Sequence, residues 1–415
     1  MSARRRLRTQ VAVIGAGPAG LVLSNVLRRA GIDTHVVERC SQDAVERRAR
    51  AGLLEHRTVA YLDSHGLADR LIADGARHGS CDFLCQGRRL RLDYCALTGG
   101  AHHWVYPQQF LARDLIASLA QTSQPPFFGQ PVTDISLRGA TARVTCPAAT
   151  IDCDYVVGCD GHQGITRTTV PAHSRREITR SCPYDWLTLL AEVDRPVERV
   201  VYGVHPRGFA GMMPRTQNLA RLYLQVPAGE TPDNWPTARV RAELFARLDS
   251  PKAHLPRVLH VSDAGALRIR STLSQQFRHG RLFLAGDAAH VLTPAGAKGM
   301  NLAIGDAADL AFSLIRRYHD GDPDGLAAYS TRRLKQARHA QEFSDHLLCL
   351  LHLPESHSAA PELAWRSAYL RGLTEPNPKA TAFAHQYVGS GDALAGLLPR
   401  LPHFPTPRGT SVCPS

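Results

Sequence analysis

The stretch from Gln10 to Glu38 leaves the chain few ways to fold. A short apolar run, Gln10 to Ile14, reads as a strand and stops at Gly15. The loop GAGPAG follows, with Gly15, Gly17 and Gly20 in the G-x-G-x-x-G spacing, and Leu21, Val22, Leu23, Val26 and Leu27 then repeat with helical period. Pro18 falls in the first turn, where its missing N–H costs nothing. Gly31 closes the helix, and His35 to Glu38 reads as a second strand. Such a β-α-β unit brings backbone N–H groups and the positive end of a helix dipole to one point, which suits a pyrophosphate. The glycines serve a tight turn, close ligand approach and close helix–sheet packing, and Glu38 stands where a carboxylate meets a ribose. A dinucleotide is expected here.

Two distant acidic turns narrow the choice. Asp160-Gly161 follows the strand pattern Asp154 to Gly158, and Gly286-Asp287 follows Arg281 to Leu284. The second turn runs into a Pro/Gly-rich loop and a helix opening near Gly299, within AGDAAHVLTPAGAKGMNLA from Ala285 to Ala303. Backbone donors and a carboxylate thus converge where a polar heterocycle can sit. Together with the first loop, these turns favour FAD over a free nicotinamide cofactor, and they place Asp160, Gly286 and Asp287 among the expected cofactor residues.

At 415 residues the chain exceeds what one core usually serves, so two closely joined domains are expected. A net charge of +12 comes from arginines spread along the whole chain, with no basic stripe interleaved with aromatics. That argues against nucleic acid and for anionic small molecules. The ten cysteines lie scattered without CxxC pairs or histidine spacing, so reduced thiols and no metal site are expected. No run approaches the ~20 apolar residues that span a bilayer, and a cytoplasmic protein without membrane contact is expected.

The pattern yields a mixed α/β fold: a Rossmann-like FAD-binding domain interleaved with a β-rich substrate domain and followed by a helical C-terminal region. Helices are expected around Glu55 to His65, Gln108 to Gln121, Met300 to Tyr318, Gly325 to Leu351 and Pro361 to Arg371. A β-meander covers Pro131 to Val157, and strands dominate from Trp186 to Val226. The expected division assigns 1–75, 100–175 and 276–320 to the FAD domain, 76–99 and 176–275 to the substrate domain, and 321–401 to the helical region. The Pro/Ser/Thr-rich tail 402–415 is expected to be disordered.

Several blocks together resemble the 4-hydroxybenzoate 3-monooxygenase branch of the single-component flavoprotein aromatic hydroxylases, from Thr9 to about Gly389. They are GAGPAG, RARAGLLEHRTV (48–59), YPQQFLARDL (106–115), CDYVVGCDG (153–161), HPRGFA (205–210), the 285–303 segment and YVG (387–389). The resemblance implies that Glu38 binds ribose, Arg50 and Gln108 contact FAD, and Asp287 holds the ribityl chain. It implies that Pro294 to Gly296 and Gly299, Met300 and Asn301 line the isoalloxazine, with Lys298 as more than a surface charge. Tyr202 matches a tyrosine on the phenolic oxygen. Arg215 and Tyr223 match carboxylate-binding groups, Arg221 matches an arginine beside the flavin, and Tyr387 and His78 complete a proton relay. Arg39, Arg48, Gln163, Arg167 and Arg270 fall in the region the family uses for NADPH or NADH.

Two departures stand out. Met213 replaces a serine of the carboxylate site, and Ala295 replaces a threonine. The resemblance implies hydroxylation of a 4-hydroxybenzoate-type acid ortho to an activating group, using NAD(P)H and O2 through a flavin C4a-hydroperoxide, in a homodimer. The departures leave room for an amino-substituted hydroxybenzoate from secondary metabolism. A flavin-binding redox sensor or an uncoupled NAD(P)H oxidase is the alternative class.

Overall fold

The computed structural model describes residues 5–48, 52–121, 124–248, 254–353 and 359–389. Arg50 and the tail 402–415 therefore lie outside the described residues. The first strand, Arg5–Ile14, lies parallel to Thr34–Val37 on one side and to Ala149–Gly158 on the other, and Leu282–Leu284 joins parallel beyond the latter. Parallel strands buried on both faces read as continuous apolar runs. Val11, Ala12, Val13 and Val156 are fully buried accordingly. The meander expected over 131–157 is present as Asp134–Ser136, Ala142–Thr145 and Ala149–Gly158, its last strand entering the parallel sheet. The helices Pro18–Arg29 and Lys298–His319 pack against each other over this sheet.

A second sheet of eight strands runs in the order His290–Val291, Val258–Ser274, Glu177–Val193, Leu219–Pro227, Ala210–Pro214, Val200–Val204, Ser80–Cys85 and Arg88–Asp93. A third, of three strands, has His103–Val105 between Leu53–Glu55 and Ala76–His78. Residues 76–78 thus pair outside the eight-stranded sheet to which 80–93 belong. Behind the second sheet stand the helices Asp324–Leu351, Ala359–Gly372 and Pro378–Tyr387.

Several helices depart from the sequence reading, three of them instructive. Thr237–Leu248 lies inside the block read as β-rich, and Val240, Leu244 and Leu248, spaced by four, are its buried stripe. Gln42–Arg47 forms within the arginine-rich stretch, capped by the Ser41 hydroxyl. Pro378–Tyr387 begins with Pro at its first position, and the Asn377 side chain accepts from the Ala380 N–H at 2.9 Å. That Asn-Pro start was a readable helix signal. Among the described residues no helix is long and apolar enough to cross a membrane.

Candidate active site

At the nucleotide end, the loop glycines divide by role. A Cβ on Gly15, whose φ is +106°, would meet the Cys159 carbonyl oxygen at 2.4 Å, and one on Gly20 would meet the Gly15 oxygen at 2.1 Å. Both are required by packing. Gly17, by contrast, has only the Cys159 oxygen within reach, at 3.9 Å, and it stands at the start of a helix that no side chain caps. The first-turn N–H groups there keep no intrahelical acceptor, which is what an anion uses. Glu38 closes the loop, accepting from the Ala16 N–H at 2.7 Å and the Cys40 N–H at 2.8 Å. Its two oxygens retain lone pairs for hydroxyl donors.

The Asp160 side chain is engaged within the protein. Its carboxylate accepts from the Thr166 N–H at 3.0 Å and from the Thr166 hydroxyl, anchoring the turn before the short helix Ile165–Thr169. Its backbone, not its side chain, lies against Gly15. Asp287 remains exposed between buried neighbours. Gly286, with φ of +62°, donates its N–H to buried Asp306 at 2.9 Å. Asp306 also meets His290 Nε2 at 2.6 Å and Arg333 Nε at 2.7 Å. Burial by itself would raise this carboxyl, but His290, Arg333 and the Gly286 N–H hold it below its usual range.

The loop that follows turns through Gly296 at φ +76° and Ala297 at +54°, and the long helix then starts without a side-chain cap. Gly299 has open space beside its Cα. Asn301 is occupied within the protein: it accepts from the Glu55 N–H at 2.9 Å and donates to the Leu53 and Ala297 carbonyls. Lys298 is buried, paired with Glu55 at 2.6 Å and donating to the Tyr387 carbonyl at 2.8 Å. Met300 packs on the edge of the main core, and half-buried Gln108 opens the helix Gln108–Ala120. An open helix start at each end, an uncrowded Gly17 and Gly299, and a carboxylate beside each turn fit a dinucleotide with a heterocyclic head.

Of the residues expected to face substrate, Tyr202, Met213, Arg221 and Tyr223 sit on three adjacent strands. Tyr202 pairs with Gly211, and Gly211 pairs with Tyr223, so these residues share one cross-strand row on one face. Two strand spacings, about 9.6 Å, separate the tyrosines, and the residue between them has no side chain. Phe209 and Met213 lean into that space, their tips 2.9 and 3.2 Å from where a Gly211 Cβ would be. The Tyr202 hydroxyl contacts the Tyr387 hydroxyl at 2.9 Å, and both rings are buried. Ala295 belongs to the same apolar cluster as these rings, half-buried Pro294 precedes it, and the buried Thr293 hydroxyl has no protein partner.

Met213 pairs with Arg221, and Arg215 follows just beyond the strand end. Both arginines are buried, and burial together with Arg221 pushes Arg215 down to about 10. It stays charged at neutral pH. Arg215 donates to the Gln109 side-chain oxygen at 2.9 Å, a partner that the sequence reading did not name. His78 is buried in the small sheet; its carbonyl accepts from Tyr94 at 2.9 Å, and no hydrogen bond joins its ring to Tyr387. The sequence reading also passed over Cys81, which lies against the Tyr387 hydroxyl, and His103.

The basic residues expected near a pyridine nucleotide divide. Arg39, Arg48 and Gln163 are exposed, and Arg270 is half-buried near His162. Arg167 is buried against Glu177 and the His162 carbonyl, so its guanidinium is already engaged within the protein.

Residues 8–344, most of the chain, match the family described as the FAD binding domain, which makes it a flavoprotein in class. The chain is 34% identical to p-hydroxybenzoate hydroxylase of Acinetobacter baylyi over 389 residues, 92% of this chain and 96% of that protein. Rifampicin monooxygenase of Rhodococcus hoagii is 28% identical over 94% of this chain and 81% of its own length. The solved p-nitrophenol 4-monooxygenase of Pseudomonas putida shares the fold, with a TM-score of 0.78 and 20% identity over 96% of this chain and the whole of the other. The chain belongs to the FAD-dependent aromatic hydroxylases of the p-hydroxybenzoate hydroxylase type.

Proposed function

We infer that this hydroxylase acts on a phenolic aromatic acid of the 4-hydroxybenzoate type, ortho to the ring hydroxyl, with NADPH or NADH as reductant and O2 as oxidant. The observation that carries the reading is the buried Tyr202–Tyr387 contact of 2.9 Å, set across Gly211 from Tyr223 and close in sequence to Arg215. FAD, when bound, supplies the O2 activation. The chain's part is to place the ring and to manage one proton.

Arg215 receives the carboxylate, because a guanidinium fork fixes both the position and the tilt of a planar anion. Tyr223 supports it from the next strand. At the other end of the ring, Tyr202 takes the phenolic hydrogen bond. Removing the phenolic proton enriches the ortho carbon, as attack on an electrophilic oxygen requires, and Tyr387 carries that proton onward. Ala295, Phe209 and the apolar cluster around the phenols keep water from the reacting carbon. Arg39, Arg48 and Arg270 are the cations left for a pyridine nucleotide.

Met213 favours a second substrate within the same chemistry. Its thioether covers Gly211 where a serine hydroxyl would have served the carboxylate, so a ring bearing a further substituent, such as an amino group, sits differently here. The test is a panel of 4-hydroxybenzoate, amino-substituted hydroxybenzoates, 3-hydroxybenzoate and salicylate, scored by flavin spectral change, NAD(P)H consumption and product mass. Reductant consumption matched by hydroxylated product is expected with at least one para-hydroxylated acid. Quantitative H2O2 with every acid would instead make the protein an uncoupled oxidase or a sensor.

A further inference from the structure

The three-stranded sheet holds a histidine that the reading above leaves without a task. His103 is 1% exposed, and neither ring nitrogen has a side-chain hydrogen-bond partner; the backbone polar group close to the ring is the Tyr387 carbonyl. Buried polar groups are almost always paired, so an imidazole placed this way calls for an explanation. Valine would fill a middle strand at no such expense.

Its neighbours supply one. Within the sheet His103 pairs with Glu55 on one side and with His78 on the other, so the three side chains form a row on one face. Leu54, Trp104 and Arg77 form the row on the opposite face, where Arg77 lies 5.4 Å over the Trp104 ring. Above the first row stands Tyr387, whose ring meets His103 edge-on with centroids 5.1 Å apart, and Tyr94 closes the side at 5.3 Å. The Nε2 of His78 is also buried without a partner.

We propose that His103 is a second imidazole station in the proton path of this hydroxylase, standing between Tyr387 and His78. The proposal rests on the assignment of Tyr202 and Tyr387 as the phenol pair. His103 acts through them and touches no reacting atom. A neutral imidazole has one N–H and one lone pair, so it can accept at one nitrogen while releasing at the other. The substrate proton goes to Tyr202 as the Tyr202 proton goes to Tyr387; Tyr387 gives its own to His103, and His103 releases its other N–H proton to His78 and thence to water. The net result is one phenolate and one released proton. Because no hydrogen bond yet joins the rings, each transfer through His103 uses a bridging water or a small ring rotation.

The groups facing His103 support a neutral resting state. They are Glu55, His78, Tyr94, Lys298, Tyr387 and the adjacent His102. Burial first, then Lys298 and His78, hold the ring well below the ordinary histidine range, and the Tyr387 carbonyl opposes them. Lys298 is in turn balanced by Glu55 at 2.6 Å. The other titratable group on Tyr387, the Cys81 thiol, is driven far upward by burial, so it keeps its proton and cannot take this role.

The test uses the FAD-loaded enzyme with 4-hydroxybenzoate, or whichever panel acid perturbs the flavin most. Proton release on ligand binding is followed by stopped flow with a pH indicator, and the bound phenol–phenolate absorbance is followed against pH. His103→Val and His103→Asn are expected to keep FAD content and ligand affinity within about twofold. Both should slow proton release about tenfold or more and shift the phenolate titration. His78→Val should act in the same direction, and the double variant should add little, as members of one path are non-additive. If either folded His103 variant releases protons at the wild-type rate while Tyr387→Phe is slow, His103 is packing and the proposal falls alone. If Tyr387→Phe is also unaffected, the phenol-pair reading falls with it.

Discussion

Arg215 shows how one residue here depends on its desolvation. Buried beside Arg221, it is held to about 10, yet it keeps its charge at neutral pH and donates to Gln109. A carboxylate arriving there meets two desolvated guanidiniums, and a buried charge pair loses about 2 kcal/mol or more when one partner is removed. Arg215→Ala should therefore weaken binding of a benzoate roughly 30-fold or more, leave the corresponding benzamide little changed, and preserve FAD content. Equal losses for acid and amide would remove Arg215 from the carboxylate site, and loss of FAD would place it in the cofactor site. Met213→Ser gives the complementary test: restored hydroxyl donation should strengthen 4-hydroxybenzoate binding relative to amino-substituted acids, measured by flavin spectral titration.

Among the elements, the turn at Gly286 is held by a polar knot rather than by packing alone. Asp306 on the helix Lys298–His319 binds Gly286, His290 and Arg333, so one carboxylate ties a strand end, a two-residue strand and two helices. Removing one partner of a fully buried ion pair typically costs about 3–5 kcal/mol, because the other charge is left uncompensated. Asp306→Asn should lower the unfolding free energy measured in urea by an amount of that order, with a lower midpoint, and loosen FAD, since Asp287 is next to the released Gly286. A variant with wild-type midpoint and FAD affinity would refute the knot. The helix starts argue likewise at this scale. Pro378–Tyr387 presents Tyr387 to Tyr202 from a start that Asn377 and Pro378 fix.

Across the whole molecule, several histidines are buried in neutral form. Burial is the largest cause that lowers His35, His78, His103 and His352, with His352 reaching about 4. The His352 ring shows the reason: Nδ1 faces the Leu348 carbonyl at 2.8 Å and Nε2 accepts from Trp186 Nε1 at 2.7 Å, so protonation would put two donors face to face. When the folded value lies below the unfolded one, the unfolded chain binds more protons between them. Stability from these groups is thus complete above about 6.5 and falls as the pH drops through that window, for His352 down to about 4. At about 1.4 kcal/mol per unit, that residue alone contributes on the order of 3 kcal/mol. The urea midpoint should fall clearly between pH 7 and pH 5, with Trp fluorescence reporting the loss; a flat profile would contradict the assigned protonation states.

What was legible in the chain itself followed from local rules. The β-α-β opening, the glycine spacing, Glu38 and the 285–303 turn depend on residues a few positions apart, where backbone geometry and helix dipoles act directly. The helices Thr237–Leu248 and Pro378–Tyr387 were equally local, and their signals, apolar residues spaced by four and an Asn-Pro start, were missed rather than absent. Tertiary structure alone decided the rest. That the Asp160 carboxylate meets Thr166 and the Arg167 guanidinium meets Glu177 is set by the partners that folding brings within reach. The row Tyr202, Gly211 and Tyr223, and the row Glu55, His103 and His78, exist only through strand register, which flips every side chain to the other face if it slips by one residue. The cofactor class was therefore written in short-range spacing, whereas the proposed substrate face and proton path were set by which distant strands came to lie side by side.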